Sequence, residues 1–506
     1  MKTEFARAAL QRTRQLAIPG CACIVLAGLL FVLITSGDEI PQLTIAVKQG
    51  VESVALKELA QSFSRETHIR VQVLELPYDQ LYLEEQRQLK QRPQRVRDST
   101  PPFDVIMIDD PWLYALVSDP SGTDGRRLTP LKKYLEADGS DFFSSVLRVA
   151  SFCPKHDDCR DYYAVPIVAN SQLFAYRAAD FQHESVPTTW QAVAKAAARI
   201  EKKDHIGYVT RIGPGNSIVT DFMPILWAYD PDSLPFFAES KQPLVQPRAA
   251  IEMLDQLVAT RKNLGSASFD DFDVSAYLEE ERASMGIVWS AWAMMLVDID
   301  EKMRQAQLTA LVLDAPKAEK LVFTSIPQGS NSESQAELGT WLLAIPINSE
   351  QQSSALEFIQ YVADLGEYSN PNHPHSLLAA RRGTPPPRQS VLSELERDTK
   401  FRDRHPSLIP AIRWSLEWSP EPKGVNHSRA RPRSACWKEI ESQLGGYLEK
   451  SIDQEIVAKD IQSKANANLS LLFDDQTCRE FLHSQNAYLP RTGLGLVTGR
   501  AANDVH

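Results

Sequence analysis

The 506-residue chain has no surplus of positive charge: 54 Lys and Arg stand against 65 Asp and Glu, a formal charge of −11. That balance excludes a general nucleic-acid binder, which needs a cationic face against phosphates. Glycine is scarce, 22 residues against 32 prolines, so the connections read as stiff rather than floppy. Catalytic signatures are missing: there is no G-x-S-x-G, no G-x-x-x-x-G-K-[ST] and no H-E-x-x-H. The GPGN at 213–216 reads as a turn, not a phosphate loop. The acid pairs Asp109-Asp110 and Asp270-Asp271 fail as a glycosidase pair. Neighbours on a strand point to opposite faces, whereas glycosidase carboxylates flank one bond at about 5–9 Å. His373-Pro374-His375 reads as the surface of a proline-rich loop, not a metal site. No internal repeat or low-complexity segment occurs. The expectation is therefore no enzyme, no cofactor and no metal.

What is present is globular: 43% apolar and 24% charged residues. At roughly 100–200 residues per domain, the length suggests two to four domains. Lys2, Arg7, Arg12 and Arg14 precede an uncharged apolar run, Cys21–Ile34, and the small residues Thr35-Ser36-Gly37. The run is shorter than the about 20 residues a spanning helix needs. Residues 1–37 read as a secretory signal cleaved after Ser36 or Gly37, or as an uncleaved signal anchor. Cys21 and Cys23 begin the apolar run, whereas a lipoprotein cysteine follows it. Beyond that segment remain Cys153, Cys159, Cys436 and Cys478. An even number in an exported chain predicts disulfides, Cys153–Cys159 closing a polar loop and Cys436–Cys478 pinning the tail. The spacing of C-P-K-H-D-D-C is not that of a zinc knuckle.

From Leu43 the pattern alternates strand and helix. Leu43–Val47, Ile69–Leu74 and Phe103–Ile108 read as strands; Val51–Arg65 and Tyr78–Gln91 read as the helices between them. Such alternation implies α/β structure with a parallel sheet and right-handed crossovers. Asp110 before Pro111 reads most simply as a helix N-cap. Further on, Tyr163–Val168, Leu173–Tyr176, Ile206–Thr210, Met285–Trp289 and Leu338–Pro346 read as strands. Trp190–Ile200 (opened by Thr188-Thr189), Asp221–Tyr229, Ala249–Arg261, Val274–Ala283 and Ser353–Asp364 read as helices, as does a stretch from Ala291. The region from about 387 to 472 reads as mostly helical and broken by prolines.

In this order the segments resemble bacterial extracellular solute-binding protein family 1, the maltose-binding-protein-like receptors of ABC sugar importers. LTIAVKQG looks like the opening strand and turn, LKELAQSFSRETHIRVQV the helix–strand pair, and FDVIMIDDPWLYALV the "p-D-V" strand. LTPLKKYL, DYYAVPIVANSQLFAYRAADF, VPTTWQAVAKAAARI, ASMGIVWSAWA, LGTWLLAIPINSEQQSSALEFIQYV, RRGTPPPRQSVL and RARPRSACWKEIESQL look like the later blocks. Thr340 departs from the pattern, where a second Gly is common, and the signal region lacks a lipobox. The resemblance implies the two-lobe periplasmic binding protein fold of type II-like topology. Each lobe is then a mostly parallel sheet flanked by helices, joined by a hinge of several crossings. Lobe 1 covers 43–165 plus 288–364, lobe 2 covers 169–285 plus 368–472, and 474–506 is a C-terminal tail. Crossings fall near Pro166–Ser171, Met285–Trp289 and Leu365–Ser369.

A sugar needs aromatic faces for its C–H side and planar polar groups for its hydroxyls. Ligands of open α/β sheets bind outside the carboxyl ends of the strands. The candidates there are Lys48, Gln49, Asp109, Asp110, Trp112, Asn170, Trp227, Trp289, Trp292, Gly339, Trp341 and Arg381. Asp109 has no local task and reads as a hydroxyl acceptor; Asn170 serves ligand or hinge backbone; Arg382 could replace Arg381. Trp190, at a helix start, reads as packing, and Trp414, Trp418 and Trp437 have no assigned place. The implied function is capture of a sugar or oligosaccharide in an interlobe cleft and delivery to an ABC permease. The implied protein is a monomer in the periplasm or on the outer face of the cytoplasmic membrane, touching membrane only through its N-terminal segment or the permease. Two rivals remain: a membrane-anchored sensor of the same fold acting on a signalling partner, and a carbohydrate-active enzyme.

Overall fold

The computed structural model describes residues 42–90, 102–117, 126–152, 161–202, 204–212, 216–229, 248–257, 270–296, 320–329, 334–417, 427–431 and 437–452. The signal segment, all four cysteines of the expected disulfides, most of the GPGN turn, Trp418 and the tail lie outside these residues.

β1 (Gln42–Lys48) buries its five central residues. Gly50, at φ 141°, turns the chain directly into the helix Val51–Thr67, a conformation that side chains avoid. That helix buries Ala55, Leu56, Leu59, Ala60 and Phe63, spaced as one face. Phe63 meets Phe358 and Tyr361 edge-on, each at 5.3 Å between ring centres. β2 (Arg70–Leu76), the helix Tyr78–Lys90 and β3 (Val105–Asp109) follow, and β1 pairs in parallel with both β2 and β3.

Short strands β4 (Ser151–Phe152) and β5 (Asp161–Tyr162) form a separate pair. β6 runs from Ala164 to Arg177 as one strand, where the sequence suggested two. The break read between Val168 and Leu173 does not occur; the register with β10 instead shifts between Trp341 and Leu342, leaving Ile167 of β6 as the extra residue beside Pro166. Proline donates no ladder hydrogen bond, and an irregularity accommodates it. β7 (Ile206–Val209), β8 (Ala283–Trp289), β9 (Leu321–Thr324), β10 (Ala336–Ala344) and β11 (Ser428–Ala430) complete the set among the described residues. The main sheet runs β2-β1-β3-β10-β6-β8-β7, with β11 on β10 and β9 on β6. The β10 contacts with β3 and β6 are antiparallel, so the sheet is mixed.

Three apolar cores surround it. The first gathers β1, β3, β10, the start of β6 and the helix Gln352–Ala363. The second gathers the helices Trp190–Ile200, Asn216–Tyr229, Arg248–Leu257 and Trp437–Ile452. The third gathers β7, β8 and the helices Gln389–Arg397 and Leu408–Leu416. β6 serves all three: Val165 and Val168 lie in the first, Phe174 in the second, Leu173 and Ala175 in the third. Trp190 is fully buried in the second core behind Thr189, whose hydroxyl accepts from Ala192 N at 3.2 Å. Trp437 also lies in that core, and Trp414 packs against it.

Several local expectations need correction. The helix placed at Val274–Ala283 runs Asp271–Glu279. Asp270 and Asp273 cap it reciprocally at 3.0 Å each, and Glu281, at φ 63°, breaks the chain into β8. The histidine pair is not loop surface. Pro374 opens a helix to Arg381; His375 Nδ1 lies 2.8 Å from Asp364 Oδ1 and His373 Nε2 lies 3.2 Å from Asp141. β11 was read as part of a helical region.

Candidate functional site

The sheet register brings the strand-end residues into one row. Asp109 faces Trp341 across β3 and β10; Gly339 faces Asn170 across β10 and β6; Gln172 faces Trp289 across β6 and β8. Residues far apart in the chain thus meet because β3 and β8 end against the middles of the long strands β10 and β6.

Around Asp109 the row becomes an aromatic cage. Tyr78 lies 4.7 Å from Trp112 and 6.1 Å from Trp341, and the two indoles meet edge-on at 5.9 Å. The Lys48 ammonium sits 5.8 Å from the Trp341 ring and pairs with Glu52 at 2.9 Å. Trp289 lies against Gly339 so closely that a Cβ there would come within 2.9 Å of its ring, and Arg211 covers that ring at 5.4 Å. A glycine is needed for this approach, not for a turn.

Asp109 is the centre of a buried polar network. It takes a two-pronged ion pair from Arg431, with Nη1 at 2.8 Å from Oδ2, and a hydrogen bond from Tyr78 OH at 2.7 Å. Arg431 also stands 3.2 Å from Glu337 and 3.6 Å from Asp110. Burial pushes the guanidinium down, but Asp109 and Asp110 outweigh it and hold its pKa well above the usual value. Burial drives Glu337 well above the ordinary carboxylate range. Burial, then the Asp109 charge, raises Tyr78. Asp110 does not cap the following helix as expected. It begins a short 3-10 turn, Asp110–Trp112, and accepts from Thr340 N at 2.8 Å, tying β3 to β10.

The network crosses from the first core to the second. Asn216 Nδ2 donates to Tyr78 OH at 3.1 Å and to Glu441 Oε1 at 2.8 Å. Lys438 Nζ reaches Asp79 at 2.8 Å and Glu441 at 3.0 Å, and lies 4.6 Å from the Tyr78 ring. Beside it, Arg211 and Asp221 form a buried pair, with Arg211 Nε 2.9 Å from Oδ1.

The structure thus joins Lys48, Asp109, Asp110, Trp112, Trp289, Gly339 and Trp341 in one cluster. It places the other candidates differently. Asn170 Oδ1 accepts from Ser290 Oγ and Ala291 N, each at 3.0 Å, at the start of the helix Ser290–Leu296. Trp227 is buried in the second core with Arg429 over its ring at 5.5 Å, and Trp292 is half-buried on the Ser290–Leu296 helix. Gln49 and Arg381 are exposed, and Arg382 pairs with Glu58 at 2.6 Å. Sequence reasoning missed Tyr78, Arg211, Asn216, Asp221, Glu337, Arg431, Lys438 and Glu441. Two of them left a signal: Glu337 sits in the otherwise apolar AELGTW, and Asp221 opens the apolar DFMPILWAY. A separate apolar crevice, lined by Leu56, Leu59, Pro166, Ile167 and Pro387, has as its charged member Glu52, already paired with Lys48. Among the described residues no cluster of His, Cys, Asp and Glu could hold a metal ion, and no helix is long and apolar enough to cross a membrane.

Comparison with known proteins agrees with this architecture. A family model described as bacterial extracellular solute-binding protein matches residues 49–366. The maltose-bound MalE3 of T. maritima superposes with a TM-score of 0.66 at 18% identity, over 85% of this chain and 99% of that one. A ribitol-bound ABC transporter solute-binding protein from Agrobacterium radiobacter gives 0.67 at 18% identity, over 86% and 99%. The maltotriose-bound maltotriose binding protein of Thermus thermophilus gives 0.59 at 15%, over 85% and 99%.

Proposed function

The chain belongs to the bacterial extracellular solute-binding protein family, and from that premise we propose that it captures a sugar or oligosaccharide and delivers it to an ABC permease. One observation carries the reading: the Tyr78, Trp112 and Trp341 rings of the first core gather around Asp109, and Asn216 and Glu441 join the same network from helices of the second. Indole faces suit the apolar side of a sugar ring, and carboxylates accept its hydroxyl protons. The relatives named for maltose, maltotriose and ribitol support the same ligand class.

The two lobes are 43–165 plus 288–364 and 169–285 plus 368–472. The guest enters when they part. In this reading the conformation with Asp109 and Trp341 at 2% and 4% exposed is the shut one. Opening breaks the Tyr78–Asn216 and Asp79–Lys438 contacts, which join the cores. A guest touching both sides favours closure because it binds the shut state better than the open one. The protein is exported by residues 1–37, binds as a monomer and performs no turnover. A Kd near micromolar, roughly −8 kcal/mol, suits capture and release.

A thermal-shift screen against sugars, amino acids, polyamines and glycerol phosphate, paired with product analysis, tests this. Stabilisation by carbohydrate without products is expected, since binding to the folded form raises Tm. Products would make it an enzyme; stabilisation only by a non-carbohydrate would discard the sugar.

A further inference from the structure

The polar groups that the carbohydrate reading offers to a guest are held by the chain itself. Asp109 Oδ2 accepts from Arg431 Nη1 at 2.8 Å and from Tyr78 OH at 2.7 Å, and Oδ1 takes Arg431 Nη2. Asp110 Oδ2 accepts from Thr340 N at 2.8 Å. The Trp289 ring lies against Gly339 and under the Arg211 guanidinium. Asp109 and Arg431 are both buried, so a sugar hydroxyl reaches Asp109 only after Arg431 leaves it.

The fold delivers Arg431 to this place from outside the first core. It follows β11, which pairs with β10 through Ser428–Ala430. Arg429 covers Trp227 of the second core, and Ala430 packs on the third. The Arg431 guanidinium then meets the end of β3, whose other residues lie in the first core. It presents two donors to one carboxylate, as neighbouring hydroxyls of a sugar also do. A second clasp lies alongside: Lys438 Nζ holds Asp79 at 2.8 Å, and Asn216 Nδ2 donates to Tyr78 OH at 3.1 Å. In the lobe division given above, Arg431, Lys438 and Asn216 belong to lobe 2, and Asp109, Asp79 and Tyr78 to lobe 1.

We propose, resting on the carbohydrate reading above, that Arg431 is an internal guest: with Lys438 and Asn216 beside it, it latches the lobes shut without sugar, and a sugar binds by taking its place on Asp109. A receptor of the simpler kind is closed by its ligand alone. Here the affinity is set by an exchange. Sugar gains Asp109 only in chains whose latch is released, so observed binding is weaker than intrinsic binding by that fraction.

The test is small-angle scattering of the full chain with and without maltotriose or ribitol. Calorimetric titration of the same sugars into wild type, Arg431→Lys and Asp79→Asn runs alongside. Lysine keeps the charge and an aliphatic stem but loses the two-pronged grip. Asp79 is mostly exposed, so its amide spares the fold while loosening Lys438. The wild-type radius of gyration should not change when sugar binds, and the unliganded variants should be larger than unliganded wild type. Arg431→Lys should bind sugar at least about tenfold tighter than wild type, and Asp79→Asn about twofold tighter. A wild-type radius that shrinks on binding, or folded variants that match wild type in unliganded radius or bind sugar no tighter, overturns the latch and leaves the carbohydrate reading standing. If neither sugar binds any of the three proteins, the carbohydrate reading fails, and the unliganded radii alone decide the latch. If the urea midpoint shows Arg431→Lys unfolded, Asp79→Asn carries the comparison.

Discussion

Replacing Arg431 with methionine removes the cation that Asp109 holds with two contacts and that Glu337 and Asp110 face at 3.2 and 3.6 Å. Methionine has similar length and keeps the packing of the stem. Asp109 would keep the Tyr78 hydroxyl at 2.7 Å as its donor. Breaking a buried ion pair from one side costs about 3–5 kcal/mol, because the remaining charge loses its partner without regaining water. Urea unfolding at neutral pH should show a loss of that size. The deficit should also depend on pH. Glu337 is raised by burial and lowered by Arg431, so removing Arg431 raises its folded pKa further above the unfolded one. A raised group contributes stability below its unfolded pKa and loses it as pH rises through the folded value. The variant should therefore lie closer to wild type at acid pH than at alkaline pH. Adding Asp109→Asn to Arg431→Met should restore part of the loss, since the two residues act as one unit. A loss under about 1 kcal/mol, or two losses that simply add, would refute the view that Arg431 is the counter-ion of this cluster.

Three further outcomes follow from single contacts. Gly339→Val puts a side chain where Trp289 already lies at 2.9 Å, so the ring must move; a changed tryptophan emission and a loss of about 1–3 kcal/mol are expected, and unaltered emission would show that Trp289 does not rest on that backbone. Asn170→Ala removes the acceptor for Ser290 Oγ and Ala291 N, and a stability loss of about 0.5–2 kcal/mol is expected in urea; none would deny it the capping task. Glu85 has a folded pKa raised above the unfolded one, so the stability of wild type relative to Glu85→Gln should fall as pH rises through that window; a flat or rising difference would mean that the carboxyl is solvated.

Much of the frame was readable because it rests on periodicity. The five buried residues of β1, the Val51–Thr67 helix and the strand ending at Asp109 follow from apolar spacing alone. Asp109, Trp112 and Trp341 were legible as site candidates because strand ends in an α/β sheet are where ligands lie. Arg431, Glu441 and Lys438 were not. They come from chain more than three hundred residues beyond Asp109 and Asp79, and only tertiary contact pairs them. β11 escaped notice because a three-residue strand has no period to detect, and the unbroken β6 because Asn170, Ser171 and Gln172 interrupt its apolar run, their side chains being satisfied only in the folded chain, by the distant Ser290, Ser415 and Thr220. Trp341 reads as a ligand platform in sequence, yet only 4% of it is exposed and it belongs to the first core. Its removal therefore tests packing as well as binding, and Trp341→Phe is the cleaner variant.

The most direct test of the central claim is calorimetric titration of carbohydrates into the wild-type chain and into Trp341→Phe. The account predicts saturable one-site binding of a sugar near micromolar Kd, weakened in the variant while the urea midpoint changes little. Absence of heat with every carbohydrate, or binding that Trp341→Phe leaves unchanged, would contradict it.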